Sequence, residues 1–390
     1  MKEAVIVSAV RTPVGRCRGS LASVPAHMLG AAVVKEAVKR TGIDPERIDD
    51  VIFANLMNAE INNMGRMVAL EAGLPISVPG ITLDRQCAAS LNALAYGAMQ
   101  IMSGFANVIV AGGVESDSRR TYPMEKSEMA YSVTPPKFAD IHTAPDHIGH
   151  VNMGQTAENI AERFGFSRTQ LDEFAVRSHA LASAAYQDGR FDAQIVPIEV
   201  AQRKGPAIMV DRDESVRADC SVDSLAKLRP AFTRDGVVTA GNSSPMSDGA
   251  GAMVIMERSL AEAAGLEILA VFRGYSAAGV DPNVMGLGPI AATNKLMKQT
   301  GLKVNDIDLW ELNEAFAAQS IACIQKIGMP LERVNPNGGA LALGHPLAGT
   351  GAILTAKTVY EMQRNSAINN AVISFCVGGG QGVSVLLTRD

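Results

Sequence analysis

The sequence predicts a layered α/β fold made of two copies of one unit, with a large segment inserted into the first copy. Three observations carry this. The stretch "KEAVKRTGIDPERIDDVIFAN" (35–55) recurs as "NKLMKQTGLKVNDIDLWELN" (294–313), each with Thr-Gly, then Ile-Asp, then an apolar run ending in Asn. "GAGAMVIMER" (249–258) recurs as "GQGVSVLLTR" (380–389). Nearly continuous apolar runs alternate with helix-like stretches, the pattern of strands covered on both faces. Self-similarity of this kind is the strongest organisational signal a single sequence offers.

The elements follow in chain order. "MKEAVIVSAVRTPVG" reads as a first strand; it lacks the long apolar region and cleavage site of a signal peptide. The helix before Thr41-Gly42 and the helix before Thr300-Gly301 stop at glycine, the residue that most readily takes the left-handed cap. Strands ending at Asn55 and Asn313 come next. Cys87 then follows Gly42 at nearly the spacing at which His345 follows Gly301. Both open small-residue helices, "CAASLNALAYGAMQIM" and "HPLAGTGAILTAKTVYEM", whose slim surfaces would let them pack together at the centre between two sheets. The apolar strands "NVIVAGGVES" and "NAVISFCVGGGQG" follow in turn. A Gly-x-Gly bend is expected to lead into each final strand of a copy.

This places residues 1–117 and 249–268 in one half, 269–390 in the other, and 118–248 in an inserted loop domain. The insertion holds "SVTPPKFADIHTAPDH" and one expected helix, "TAENIAERFGFSRTQLDEFAVRSHALASAAYQDG". It reads as a lid over the site, with a decorative surface insertion or an oligomerisation arm as alternatives.

Composition excludes several classes. With 390 residues, 47% hydrophobic and 19% charged, the chain is long and apolar enough for two or three cores. A formal charge of −5 and the lack of a basic run give no reason to expect nucleic acid. No apolar stretch has the length of a membrane span. The five cysteines are scattered without metal-ligand spacing, which argues against zinc and for reduced thiols in the cytoplasm.

Taken singly, the polar candidates have bland readings: Cys87 a small buried residue, His345 a structural histidine, Cys376 packing, Asn313 an N-cap. The duplication argues otherwise, because two pseudo-symmetric helix starts would bring thiol and imidazole into one pocket. A helix start would also favour the Cys87 thiolate over an unperturbed thiol of pKa about 8.5, and offer free N–H groups to an oxyanion. The glycines after Cys376 permit close approach of a ligand to the backbone, but they match neither a P-loop nor a dinucleotide fingerprint.

"DRQCAASLNA", "NEAFA", "NGGALALGHPLAGTGA" and "CVGGGQG", in that order, resemble the signature blocks of the thiolases, and "ARTPVGR", "MGQTAEN", "KLRPAF" and "VTAGNSSPMSDGA" extend the resemblance over essentially the whole chain. The resemblance implies the αβαβα thiolase-type fold and an acetyl-CoA C-acyltransferase. Cys87 would carry the acyl group as a thioester and His345 would take its proton. Cys376 would move the proton at the acetyl Cα. His345 and an Asn313-held water would bind the enolate oxygen, and the N–H groups of Cys87 and Gly378 the tetrahedral oxyanion. Coenzyme A, a substrate rather than a bound cofactor, would lie against Arg217, Ser224, Ser244, Met153, Met285, Ala315 and Phe316, with Arg203, Lys204 and Arg212 near its phosphates. Two half-reactions sharing one acyl-enzyme imply ping-pong kinetics.

The resemblance further implies a homodimer or homotetramer. Asn152 stands where short-chain biosynthetic members often have His, and "RQC" is similar to degradative members, so the expected activity is 3-ketoacyl-CoA thiolysis or the reverse Claisen condensation. A short-chain acetyl-CoA acetyltransferase is the alternative. From other classes, a Cys–His thioester hydrolase would have no use for Cys376, and a non-catalytic lipid carrier would have no use for the four intact blocks.

Overall fold

The structure is a computed structural model that describes residues 2–127, 129–131, 133–149 and 152–389. Met1 and Asp390, the expected outer bounds of the two halves, lie outside them. Nine strands run through the core: β1 Ala4–Arg11, β2 Asp50–Ala54, β3 Gly80–Leu83, β4 Val108–Ser116, β5 Ser247–Glu257, β6 Ala270–Gly279, β7 Leu309–Leu312, β8 Asn370–Val377 and β9 Gln381–Thr388. With the short piece Gly15–Arg16 they form one ten-stranded sheet in the order β7-β8-β9-β6-β1-β5-β4-β2-β3. The eight longer helices are α1 Ala26–Thr41, α2 Met64–Glu71, α3 Ala89–Met102, α4 Met153–Phe164, α5 Arg168–Gln187, α6 Gly288–Thr300, α7 Ala317–Ile327 and α8 Thr350–Arg364.

The duplication is visible in the pairing. In the first half, parallel β2 and β4 are followed by antiparallel β5 and β1; in the second, parallel β7 and β8 are followed by antiparallel β9 and β6. Gly42 and Gly301 cap α1 and α6 at φ 62° and 75°. The two sheets expected from sequence are joined, because β1 pairs with β6 through Val5–Val271 and Ile6–Ala270.

Side chains alternate across the strands, so each sheet half has an outer and a central face. On β4, Val108 and Val110 pack outward with Val33 and Val34 of α1, while Ile109 and Ala111 pack inward with Leu94 and Ala98 of α3. Helix α6 covers the outer face of the second half. Helices α3 and α8 pack against each other and against strands of both halves, forming the central layer. Small residues make this possible. A Cβ on Gly351 of α8 would stand 2.3 Å from the backbone nitrogen of Leu91, and the Ala352 N–H donates to Ser90 Oγ at 2.9 Å.

Two local expectations are corrected. Gly249 and Gly251 form no bend; they lie inside β5, where a Cβ on Gly251 would meet Ala352 at 2.9 Å. Only the second copy turns on its glycines, with Gly379 and Gly380 both at φ 80° between β8 and β9. The single helix expected over 156–189 is two helices, α4 and α5, broken where Gly165 adopts φ 68° and Ser167 starts α5 with a full capping box. The described residues between β4 and β5 add no strand to the main sheet. Helices α4 and α5 rest on α7, and Asp213 forms a fully buried ion pair with Arg11 of β1 at 2.7 Å.

Candidate active site

Cys87 sits in a single 3-10 turn, Gln86–Ala88, that leads directly into α3. Gln86 takes φ 46°, a left-handed conformation that is unfavourable for a side-chain-bearing residue, and Asp84 Oδ1 holds its N–H at 2.8 Å. This turn packs against the end of β8 and against the 3-10 turn Leu347–Gly349 before α8. The Gly378 backbone N–H favours the charged form of the Cys87 sulfur.

The expected thiolate is not what the surroundings favour. Burial pushes the Cys87 thiol up to about 11; the Gly378 and Cys87 N–H groups pull it down, and nearby Glu115 and Asp84 push it further up. Removing water from a charge outweighs the local N–H dipoles here. Cys376, the last residue but one of β8, is buried and opposes Gly382 of β9. Burial raises its thiol first, and the closeness of Cys87 raises it again. The two sulfurs therefore feel one another's charge.

His345 is buried but does not start a helix. It lies in an extended segment that bridges to Met246, its N–H donates to Ser247 Oγ at 3.2 Å, and α8 begins only at Thr350. The position that matches Cys87 in the second copy is Ala348, the middle of the turn before α8. The ring is anchored at both nitrogens: Nδ1 lies 2.7 Å from Thr350 Oγ1, and Nε2 lies 3.4 Å from Asn313 Nδ2. Both contacts are satisfied when Nδ1 carries the proton and Nε2 accepts. Burial pushes the imidazole down to about 4, so it is neutral at pH 7.

Asn313 extends β7, and its backbone N–H donates to Ser374 O at 2.9 Å on β8, two residues before Cys376. Its Oδ1 is buried and has no hydrogen-bond partner. Hydrogen bonds thus link His345 to Asn313 and Asn313 to the strand that carries Cys376, whose thiol in turn feels the charge of Cys87.

Met285, Ala315 and Phe316 are buried in the same apolar cluster as Cys376, with Met153 packed against it. Ser244 joins them through its N–H, which donates to Ala315 O at 2.9 Å. Arg217 and Ser224 are not drawn into this group by any side-chain bond. Both are exposed. The Arg217 backbone N–H donates to His179 Nδ1, and Ser224 completes a capping box with Ser221 on the short helix Val222–Leu225. The Arg212 guanidinium lies 4.5 Å over the Tyr186 ring.

Sequence reasoning missed Thr350, Ser247 and Glu115. Thr350 lies in the helix opening after His345, where a hydroxyl is easily read as ordinary helix-start chemistry. Glu115 was legible as the one carboxylate in the apolar run "NVIVAGGVES". It is buried, receives N–H bonds from Met57 and Ala348, and is pushed up to about 8 by burial. Among the described residues no group of His, Cys, Asp or Glu could hold a metal ion, and no helix is long and apolar enough to cross a membrane.

Two thiols, a neutral imidazole and a buried amide are carried by the two halves of a duplicated α/β fold. Residues 4–259 match the thiolase N-terminal domain and residues 266–389 the thiolase C-terminal domain, and the chain belongs to the thiolase family. It is 44% identical to the acetyl-CoA acetyltransferase of Pseudomonas aeruginosa over all of both chains. Its structure matches the Bacillus anthracis acetyl-CoA acetyltransferase and human mitochondrial 3-ketoacyl-CoA thiolase, each with a TM-score of 0.94, at 40% and 35% identity. Each match covers 100% of this chain and 99% of the other. The protein is an acetyl-CoA acyltransferase of the thiolase type.

Proposed function

We propose that the protein cleaves 3-ketoacyl-CoA with CoA to acetyl-CoA and a shortened acyl-CoA, or runs the reverse Claisen condensation, through an acyl-enzyme on Cys87. The observation that carries this reading is that the Gly378 N–H favours a charged Cys87 sulfur, while the charges of the Cys87 and Cys376 sulfurs oppose one another. In the forward direction His345 Nε2 takes the Cys87 proton and the sulfur bonds to the 3-keto carbon. The N–H groups of Cys87 and Gly378 hold the resulting oxyanion. The bond between C2 and C3 breaks with its electron pair on C2, and Cys376 protonates that carbon. His345 and an Asn313-held water bind the enolate oxygen, a role suited to the otherwise unsatisfied Asn313 Oδ1. CoA then displaces the acyl group from Cys87, and its proton restores the starting state.

A neutral His345 suits the base role, because only the neutral ring can accept a proton. CoA would lie along Met153, Met285, Ala315, Phe316 and Ser244, with Arg217, Ser224 and the rest of residues 118–248 at its nucleotide end. No permanently bound cofactor is required. A homodimer or homotetramer in the cytoplasm completes the reading; the edge strand β3 with exposed Ile81 supplies apolar surface for such an assembly. A dedicated acetoacetyl-CoA-forming enzyme is the second reading, favoured by the name of the 44% identical relative. Thiolysis rates with acetoacetyl-CoA against longer 3-ketoacyl-CoA esters decide between them. Failure of acetyl-CoA to label Cys87 covalently would remove the acyl-enzyme from both.

A further inference from the structure

We propose that a polar cavity beside Cys87 receives the far end of the acyl group and that Arg85 there binds a terminal carboxylate, so that the preferred substrate class is a short 3-ketoacyl-CoA carrying a carboxylate at the end of its acyl chain. This rests on the acyltransferase reading above and narrows it.

The cavity has a volume of about 350 Å³, within the range of small-molecule sites. One wall is Gln86, the residue before the nucleophile; another is Gly378 and Gly379, and the Gly378 N–H favours a charged Cys87 sulfur. A group attached to that sulfur therefore starts at the cavity's edge. The roof is His142 and Thr143, and a Cβ on Gly379 would stand 2.6 Å from the Thr143 carbonyl oxygen, so roof and floor are in close contact.

No Val, Leu, Ile, Met, Phe or Trp side chain is among the residues lining the cavity. An alkyl tail placed there would strip water from polar groups and give them no partner, which costs more than the tail's own burial returns. A polar tail meets no such penalty.

The charges select its sign. Asp84 is exposed, and its carboxylate is engaged by the Gln86 N–H. His142 faces Asp146 at 3.2 Å. Arg85 is half-buried and forms no ion pair among the described residues. Its guanidinium touches only neutral oxygens, Gln381 Oε1 at 3.5 Å and the Tyr96 hydroxyl at 3.2 Å. Tyr96 is itself held edge-to-face against Tyr275, whose hydroxyl accepts a bond from Asn92 at 2.7 Å. The cation is thus placed by a built network and lacks an anion. A carboxylate matches the guanidinium fork in both charge and geometry.

The test compares kcat/KM for thiolysis of 3-ketohexanoyl-CoA and of its ω-carboxylated counterpart, with acetoacetyl-CoA as the reference. The wild type is expected to favour the carboxylated ester on the order of tenfold or more, the effect of one charge-assisted hydrogen-bonded pair. Arg85→Gln is expected to abolish that preference and Arg85→Lys to restore part of it. Equal rates for the two esters, a preference for the methyl-terminated one, or a preference that survives Arg85→Gln would overturn the proposal while leaving the proposed function standing. Absence of thiolysis of all three esters would overturn both. The wild-type ratio needs no variant, so a misfolded substitution does not shield the idea.

Discussion

Nδ1 of His345 lies 2.7 Å from the hydroxyl of Thr350, and this contact decides which ring nitrogen is left to act. With Nδ1–H donated to Thr350, Nε2 presents its lone pair on the side of Asn313. A buried, neutral imidazole of fixed tautomer is a ready base, and its readiness depends on a side chain in the first turn of α8.

Thr350→Val keeps the shape of the side chain and removes the anchor. Thiolysis kcat is expected to fall by about ten- to a hundredfold, part of the range associated with a positioned general base. Thr350→Ser should recover most of the rate. A Val variant with wild-type kcat and an unchanged pH profile would show that the contact does not set the tautomer.

Cys87 reactivity should rise with pH well past neutrality. Because its thiol is pushed up to about 11, the thiolate fraction grows about tenfold per pH unit from pH 7 to 10. Iodoacetamide labelling of Cys87 in the free enzyme, followed by peptide mapping, is the measurement. A plateau of the labelling rate near pH 8 would contradict the burial argument.

Cys376→Ala is expected to separate the two half-reactions. Acetyl transfer from acetyl-CoA to Cys87 should persist, while exchange of the acetyl α-protons with deuterated water should drop by about a hundredfold or more. If α-proton exchange continues at the wild-type rate, Cys376 is not the group that moves that proton.

His345 also couples pH to stability. Its folded-state pKa, about 4, lies below the ordinary 6.5, so below pH 6.5 the unfolded chain binds a proton that the folded chain refuses. The stability this contributes is fully present above pH 6.5 and is lost as pH falls toward 4, about 3 kcal/mol in all. Urea unfolding of wild type and His345→Gln at pH 7, 6, 5 and 4 should show the wild type losing stability more steeply over that window. Parallel curves would refute the linkage.

Gly351→Ala probes the central layer. The added Cβ would stand 2.3 Å from the Leu91 backbone, which cannot yield without moving α3 against α8. A loss of about 1–3 kcal/mol is expected from overpacking. Calorimetry measures it, and a melting temperature within a degree of wild type would show that the helices have room to part.

Much of this was legible in the sequence because it is local or periodic. The recurrence of Thr-Gly before Ile-Asp located both copies, and glycine's tolerance of positive φ placed both helix ends. The apolar runs marked strands buried on two faces. His345 was read at the wrong local position because sequence spacing aligned it with Cys87, whereas the structural partner of Cys87 is Ala348. The joining of the two half-sheets depends on two residue pairs between β1 and β6, which no pattern in either strand announces.

The sequence by itself determined the duplicated α/β plan, the four blocks bearing Cys87, Asn313, His345 and Cys376, and the family those blocks indicate. Tertiary structure alone decided that burial raises both thiols and lowers the imidazole, that Thr350 anchors the ring, and that Arg85 lines a cavity with no ion-pair partner among the described residues. The reason is physical. Helix ends and strand faces follow from short-range sterics and the period of apolar residues. Proton affinities and unmatched charges depend on how much water and which distant groups remain once the halves close around α3 and α8.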